Sequence, residues 1–130
     1  MIVLDASAVI ELLLGTRTGV AVARRIAPFG ESLHVPHLID LEVAQALRRY
    51  ARSGQISEGR AVEDLEDLAD LDLNRYAHNI FMSRIWALRR NTTAYDAAYL
   101  ALAESLPAPL LTADARLKGI PGIRARIEVV

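Results

Sequence analysis

Apolar and polar positions along the chain switch between two periods. Met1–Leu4 is a short apolar run that ends at Asp5 and predicts a buried strand. Ala6–Leu14 then follows helical spacing and stops at Gly15, and Arg17–Ala27 predicts a second helix ended by Pro28 and Gly30. Leu33–Val35 predicts a short strand closed by Pro36. Leu38–Arg52 predicts a longer helix with Ile39, Val43, Ala46, Leu47 and Tyr50 on one face. Ser57 is the expected N-cap of a helix running to about Leu71, with acidic residues from Glu58 to Asp70 outside an apolar stripe. A strand is expected near Leu71–Leu73, and helices over Asn79–Arg90 and Thr93–Leu106. Pro109–Leu111 predicts a strand, Ala113–Lys118 a helical turn, and Ile127–Val130 a terminal strand.

Strands alternating with helices predict an α/β domain with a mostly parallel sheet. The chain has 130 residues, no repeat and no linker, so one domain over 1–130 is expected. In such sheets ligands bind outside the carboxyl ends of the strands.

That rule draws attention to the acids. Asp5 stands where the first strand passes into the first helix. Asp114 stands just past the Leu110–Leu111 strand, on the same rim. Either residue could simply cap a helix. Asp96 sits in the first turn of an apolar helix behind Thr93, in a pattern resembling a capping box. Glu42 falls on the edge of the apolar stripe of its helix, with Asp40 as a competitor on the other edge. Singly, each acid has an ordinary structural reading. Jointly, carboxylates converging on one rim repel, and either protonation or a bound cation must relieve them. Oxygen-only ligands select Mg²⁺, Mn²⁺ or Ca²⁺.

Composition removes other chemistries. There are no cysteines, which excludes disulfides and thiolate metal sites. The first residues carry no basic segment and no run approaches a membrane span, so a soluble, cytoplasmic protein is expected. Net charge is −1, yet Lys118 is the only lysine and every other cation is arginine, the side chain suited to bidentate phosphate contacts. Arg48, Arg49, Arg52, Arg84, Arg89, Arg90, Arg116 and Lys118 are candidates to ring the acids and hold phosphate groups. His34, His37 and His78 are assigned to solvated loops, and Trp86 and the four tyrosines are not read as a base-stacking platform. The acidic Glu63–Asp70 segment is read as a solvated face.

Four segments together carry a family resemblance: Met-Ile-Val-Leu-Asp5-Ala-Ser7-Ala, Leu-Glu42-Val-Ala, Thr93-Ala-Tyr-Asp96-Ala-Ala-Tyr, and Leu-Leu-Thr112-Ala-Asp114-Ala-Arg-Leu. In this order and spacing the chain resembles the PIN-domain ribonucleases, and within them the VapC-type toxins of toxin–antitoxin modules. The resemblance implies a parallel four- or five-stranded sheet flanked by helices. It implies Mg²⁺, with Mn²⁺ as a substitute, held directly by Asp5 and Asp96, and a catalytic pocket completed by Glu42 and Asp114. Ser7, Thr112 and Arg116 are the expected substrate-side contacts, the Ser7 and Thr112 hydroxyls standing where they could bond a carboxylate, a metal-bound water or a phosphate. The implied reaction is hydrolysis of an RNA phosphodiester by a metal-activated water. The implied partners are RNA, a small antitoxin whose tail covers the site, and a second copy of the chain. Leu12–Leu14, Leu47 and Tyr50 are candidate contacts for that tail. Two rivals stand beside this reading. One is a phosphatase- or receiver-like domain, against which Ser7 occupies the place of a second Asp. The other is a catalytically silent module that keeps the fold.

Overall fold

A computed structural model describes residues 1–130. Five strands, β1 (Ile2–Leu4), β2 (Leu33–Pro36), β3 (Leu73–Tyr76), β4 (Leu110–Thr112) and β5 (Ile127–Val129), form one sheet in the order β3-β2-β1-β4-β5. All four pairings are parallel, with Val3 opposite both His34 and Leu110. Six helices flank it: α1 (Ala6–Leu14), α2 (Arg17–Ile26), α3 (Ile39–Arg52), α4 (Glu58–Asp70), α5 (Met82–Ala87) and α6 (Ala94–Ser105). This is the expected α/β arrangement of a parallel sheet flanked by helices, with five strands rather than four. No single helix is long and apolar enough to cross a membrane.

The strand order creates the site. The chain leaves β1 towards β2 on one side, while β4 pairs on the other side of β1. Connections that diverge at one point leave a crevice beyond the carboxyl ends of those two strands. Asp5 follows β1 and Asp114 follows shortly after β4, so both stand at this crevice. The strands beneath are apolar and sealed: Ile2, Val3, Leu4 and Leu110 have no exposure. Helix α6 is buried without a break from Ala97 to Ala103, its alanines letting the sheet and α5 pack close on either side. A helix this buried emerges only at its ends, and Asp96 lies in its first turn.

Several expectations shift. The third strand lies at Leu73–Tyr76 rather than Leu71–Leu73. It is an edge strand whose Asn74 is exposed, so it lacks a continuous apolar run. The expected Asn79–Arg90 helix is a 3-10 turn over His78–Phe81 followed by the six-residue α5, which ends at Ala87. Phe81 and Leu88, both near ψ 0°, break the helical register.

His34 is not in a solvated loop. It lies in β2, is buried, and bonds the Ser32 hydroxyl and the Tyr76 hydroxyl at 2.8 Å each. Burial lowers its pKa. Nor is the acidic helix a purely solvated face. Asp64 has no exposure and pairs at 2.8 Å with Arg60, which also donates to the Leu13 carbonyl of α1. Leu13 and Leu47 are core residues, so neither is available to take a partner's tail.

Candidate active site

The end of β1 brings Asp5 out of the core with extended backbone, which makes it the N-cap of α1. Its Oδ2 accepts from the Ser7 hydroxyl at 2.5 Å and the Thr112 hydroxyl at 2.8 Å. The Ser7 hydroxyl oxygen in turn accepts from the Ala113 N–H, and Thr112 Oγ1 accepts from the Asp114 N–H. Hydroxyls from both sides of the crevice thus saturate one oxygen of Asp5 and fix its rotamer. Oδ1 takes none of these bonds and is left to the cavity that Asp5 lines. Of the partners open to the Ser7 and Thr112 hydroxyls, the structure gives both of them the Asp5 carboxylate.

The four acids of the sequence reading line one cavity of about 780 Å³. Glu42 reaches it from α3 and is held from below: the buried Tyr99 hydroxyl donates to its Oε2 at 2.6 Å. Tyr99 sits three residues after Asp96, so one face of α6 supplies both an acid and the residue that positions another. Asp96 enters from the first turn of α6, whose cap is Thr93: the Asp96 N–H donates to Thr93 Oγ1 at 3.2 Å. Asp114 caps the turn that follows β4 and is clamped by the Arg116 guanidinium, with its closest contact at 2.6 Å.

The electrostatics divide the four. Burial raises the pKa of Glu42, partly offset by the Tyr99 hydrogen bond, and Asp5 and Asp96 add repulsion. Burial also raises Asp96, with Asp5 and Asp114 as neighbouring charges. The Arg116 hydrogen bond lowers Asp114. Three acids therefore repel across the cavity while the fourth is paired.

The donor set fits a hard cation. It is oxygen only, with no imidazole or thiolate. No three acids stand close enough to cage an ion between them. Mg²⁺ does not need that, since it keeps several waters and takes one or two carboxylates. Asp5 and Asp96 line the cavity as two such carboxylates.

Among the arginines only Arg49 and Arg116 line the cavity. Arg84 is locked to Glu104 and Arg89 lies over Trp86. Asp40, the competitor of Glu42, pairs with Arg75 at 2.8 Å and does not line the cavity. Gln45, Tyr95, Leu41 and Tyr99 were not foreseen at the site. The spacing of Tyr99 from Asp96 was its one available signal.

An α/β domain with carboxylates gathered at its sheet's crevice is the class these features define. The chain belongs to the PIN-domain family, which matches residues 2–123. It is similar to Ribonuclease VapC1 of Mycobacterium tuberculosis, 43% identical over 129 residues that span 98% of this chain and 96% of the relative. Among solved structures its fold resembles VapBC2 from Rickettsia felis bound to a promoter DNA fragment, with a TM-score of 0.70 at 13% identity over 99% of this chain and 98% of that one. It also resembles a toxin–antitoxin complex from Klebsiella pneumoniae, with a TM-score of 0.67 at 19% identity over 99% of this chain and 97% of that one.

Proposed function

We propose that the chain is a Mg²⁺-dependent endoribonuclease, with Mn²⁺ able to substitute, and the toxic member of a toxin–antitoxin pair. The observation that supports it best is the convergence of Asp5, Glu42, Asp96 and Asp114 on one cavity that holds no histidine and no cysteine. Full-length similarity to a VapC ribonuclease points the same way.

A bound Mg²⁺ supplies an acidified water and positive charge against the oxyanion that develops on phosphorus. The rest falls to the chain. Asp5, its rotamer fixed by Ser7 and Thr112, and Asp96 would hold the ion. Glu42, held by Tyr99 with a raised affinity for protons, is the group suited to take the proton of the attacking water. Arg116 and Arg49, which line the same cavity, are the cationic partners for the phosphate backbone. Leu12 and Leu14, only partly buried, remain as contacts for an antitoxin. The reading carries homodimerisation and a cytoplasmic location with it.

The direct test is cleavage of total cellular RNA by the purified protein. Cleavage is expected with Mg²⁺ or Mn²⁺ and is expected to stop with EDTA. A silent PIN fold cuts under neither condition. Cleavage that persists in EDTA removes the metal from the proposal.

Stability against pH tests the ion independently of activity. With EDTA present, Glu42 and Asp96 carry raised folded pKa values. The folded state then binds more protons than the unfolded chain between the ordinary carboxylate range near ~4 and the raised values. Through these two groups, stability rises as pH falls across that window. Asp114 and Glu104, held low by arginines, contribute the opposite sign only at lower pH. Added Mg²⁺ holds the site acids ionised and is expected to remove the gain. Thermal melts across that window, with EDTA or Mg²⁺, read the difference. Identical profiles count against an ion at this site.

A further inference from the structure

Eleven large apolar side chains are exposed on the surface, and two of them, Tyr95 and Leu41, line the acidic cavity. Tyr95 is 66% exposed although it stands beside Asp96 in the first turn of α6, the most buried helix. Successive helical residues point about 100° apart, so one carries its carboxylate into the cavity and the other leaves its ring at the mouth. Nothing in the chain covers that ring. The only ring–ring contact is between His34 and Tyr76. The equally exposed Trp86 differs in this respect, because the Arg89 guanidinium lies 4.8 Å from its ring centre. Tyr95 is therefore the exposed aromatic that keeps a free π-face beside the acids.

We propose that Tyr95 is a stacking platform for one unpaired nucleobase next to the phosphate held at the acidic site. The inference deepens the nuclease reading and rests on it for the identity of that phosphate. Three features of the cavity point to this occupant. Its floor is anionic, so an uncoordinated phosphate is repelled while a neutral base is not. Arg49 and Arg116 give the flanking backbone its cationic partners on the same cavity. At about 780 Å³ the cavity falls in the size range of sites that enclose a whole small ligand, and so exceeds what a phosphate alone fills. A base inside a duplex has both faces covered by its neighbours and offers none to a side chain. Tyr95 can therefore stack only on an unpaired base.

Binding and cleavage are measured separately, so that the two readings fail separately. Fluorescence anisotropy is recorded with a labelled 12-nucleotide single-stranded RNA of random sequence, in Ca²⁺ to slow cleavage. A second strand of the same length carries abasic sugars throughout. Tyr95→Ala is expected to weaken binding of the intact strand about tenfold, because base–aromatic stacking is sequence-tolerant. Tyr95→Phe keeps the π-face and is expected to bind as the parent protein does. On the abasic strand the parent and Tyr95→Ala are expected to bind alike. The proposal is overturned if Tyr95→Ala leaves binding of the intact strand unchanged. The same holds if it loses equally on both strands, if Tyr95→Phe behaves as Tyr95→Ala, or if the parent binds no RNA. Cleavage in Mg²⁺ is then scored on its own: a strand bound through Tyr95 but left uncut removes the nuclease and keeps the stacking platform.

Discussion

Asp5→Asn is expected to lower RNA cleavage by about 100-fold or more and, in EDTA, to raise the melting temperature. The two effects share one cause. Asparagine has nearly the shape of aspartate, and its single carbonyl oxygen can still accept from Ser7 and Thr112, as Oδ2 does now. The local fold is therefore kept. The atom then facing the cavity is an NH₂ group, a donor where a cation needs an acceptor. Loss of even an outlying partner at metal sites lowers affinity or activity by roughly 10- to 100-fold, and Asp5 is placed as a direct ligand. Stability moves the other way because Asp5 is a repelling charge for both Glu42 and Asp96. Removing that charge is expected to raise the melting temperature by about 2–4 °C, corresponding to a gain on the order of 1 kcal/mol in a domain of this size. Mg²⁺ should stabilise the parent protein and not the variant. Full cleavage by Asp5→Asn would sink the assignment of Asp5 as a ligand. A variant that loses cleavage and also melts well below the parent would show a structural role instead.

Asp5 and Asp114 also show how much of the site was legible in the sequence. Capping and a place in the site looked like rival readings, but both residues cap and both line the cavity. Asp5 caps α1 weakly, through an N–H···Oδ2 contact of 3.4 Å, while Oδ1 is left to the cavity. Asp114 accepts from the Arg116 N–H at 3.0 Å and still lines the cavity. Strand ends and helix starts coincide in a parallel sheet, so a carboxylate there can serve both.

Other residues were not legible, for reasons particular to each. Asp64 sits among acids at helical spacing, and periodicity cannot tell which one of them turns inward. It is buried because Arg60 bridges it to a carbonyl on α1, a contact between residues 47 apart. Tyr99 read as one more apolar residue of an alanine-rich helix. Its hydroxyl matters only because α3 places Glu42 above it, 57 residues away in sequence. His34 was assigned to a loop although the Leu33–Val35 segment around it reads as a strand, and its partner Tyr76 belongs to a strand whose bounds were misplaced. Long-range pairs decided all three residues, and local pattern carries no record of them. Tyr95 is the opposite case. Its sequence context is apolar, and the end of α6 leaves it exposed.

The turn from α1 to α2 supports a second large effect, on the fold itself. Gly19→Ala is expected to destabilise the protein by about 3 kcal/mol or more. Helix propensity alone predicts the reverse, since alanine is favoured over glycine inside a helix by about 1 kcal/mol. Packing overrides it. A Cβ at Gly19 would lie 2.0 Å from the Glu11 carbonyl oxygen and 2.6 Å from its carbon, both backbone atoms of α1 that no rotamer change can move. The two helices, bent by 110° at their junction, must separate or partly unwind. Against a total stability of roughly 5–15 kcal/mol this is a large fraction. It also reaches the site, because α1 begins at Asp5 and carries Ser7, so cleavage is expected to fall along with stability. Two controls isolate the cause. Gly15→Ala meets no atom within 4 Å but must adopt a φ of 66°, and should lose only about 1–2 kcal/mol through that backbone strain. Gly59→Ala lies in α4 with the Ser57 hydroxyl oxygen 3.9 Å away as its nearest neighbour, and should gain up to about 1 kcal/mol. Urea unfolding of the three variants therefore gives one large loss, one small loss and one gain. A Gly19→Ala protein as stable as Gly59→Ala would mean that α1 and α2 do not meet backbone to backbone in solution.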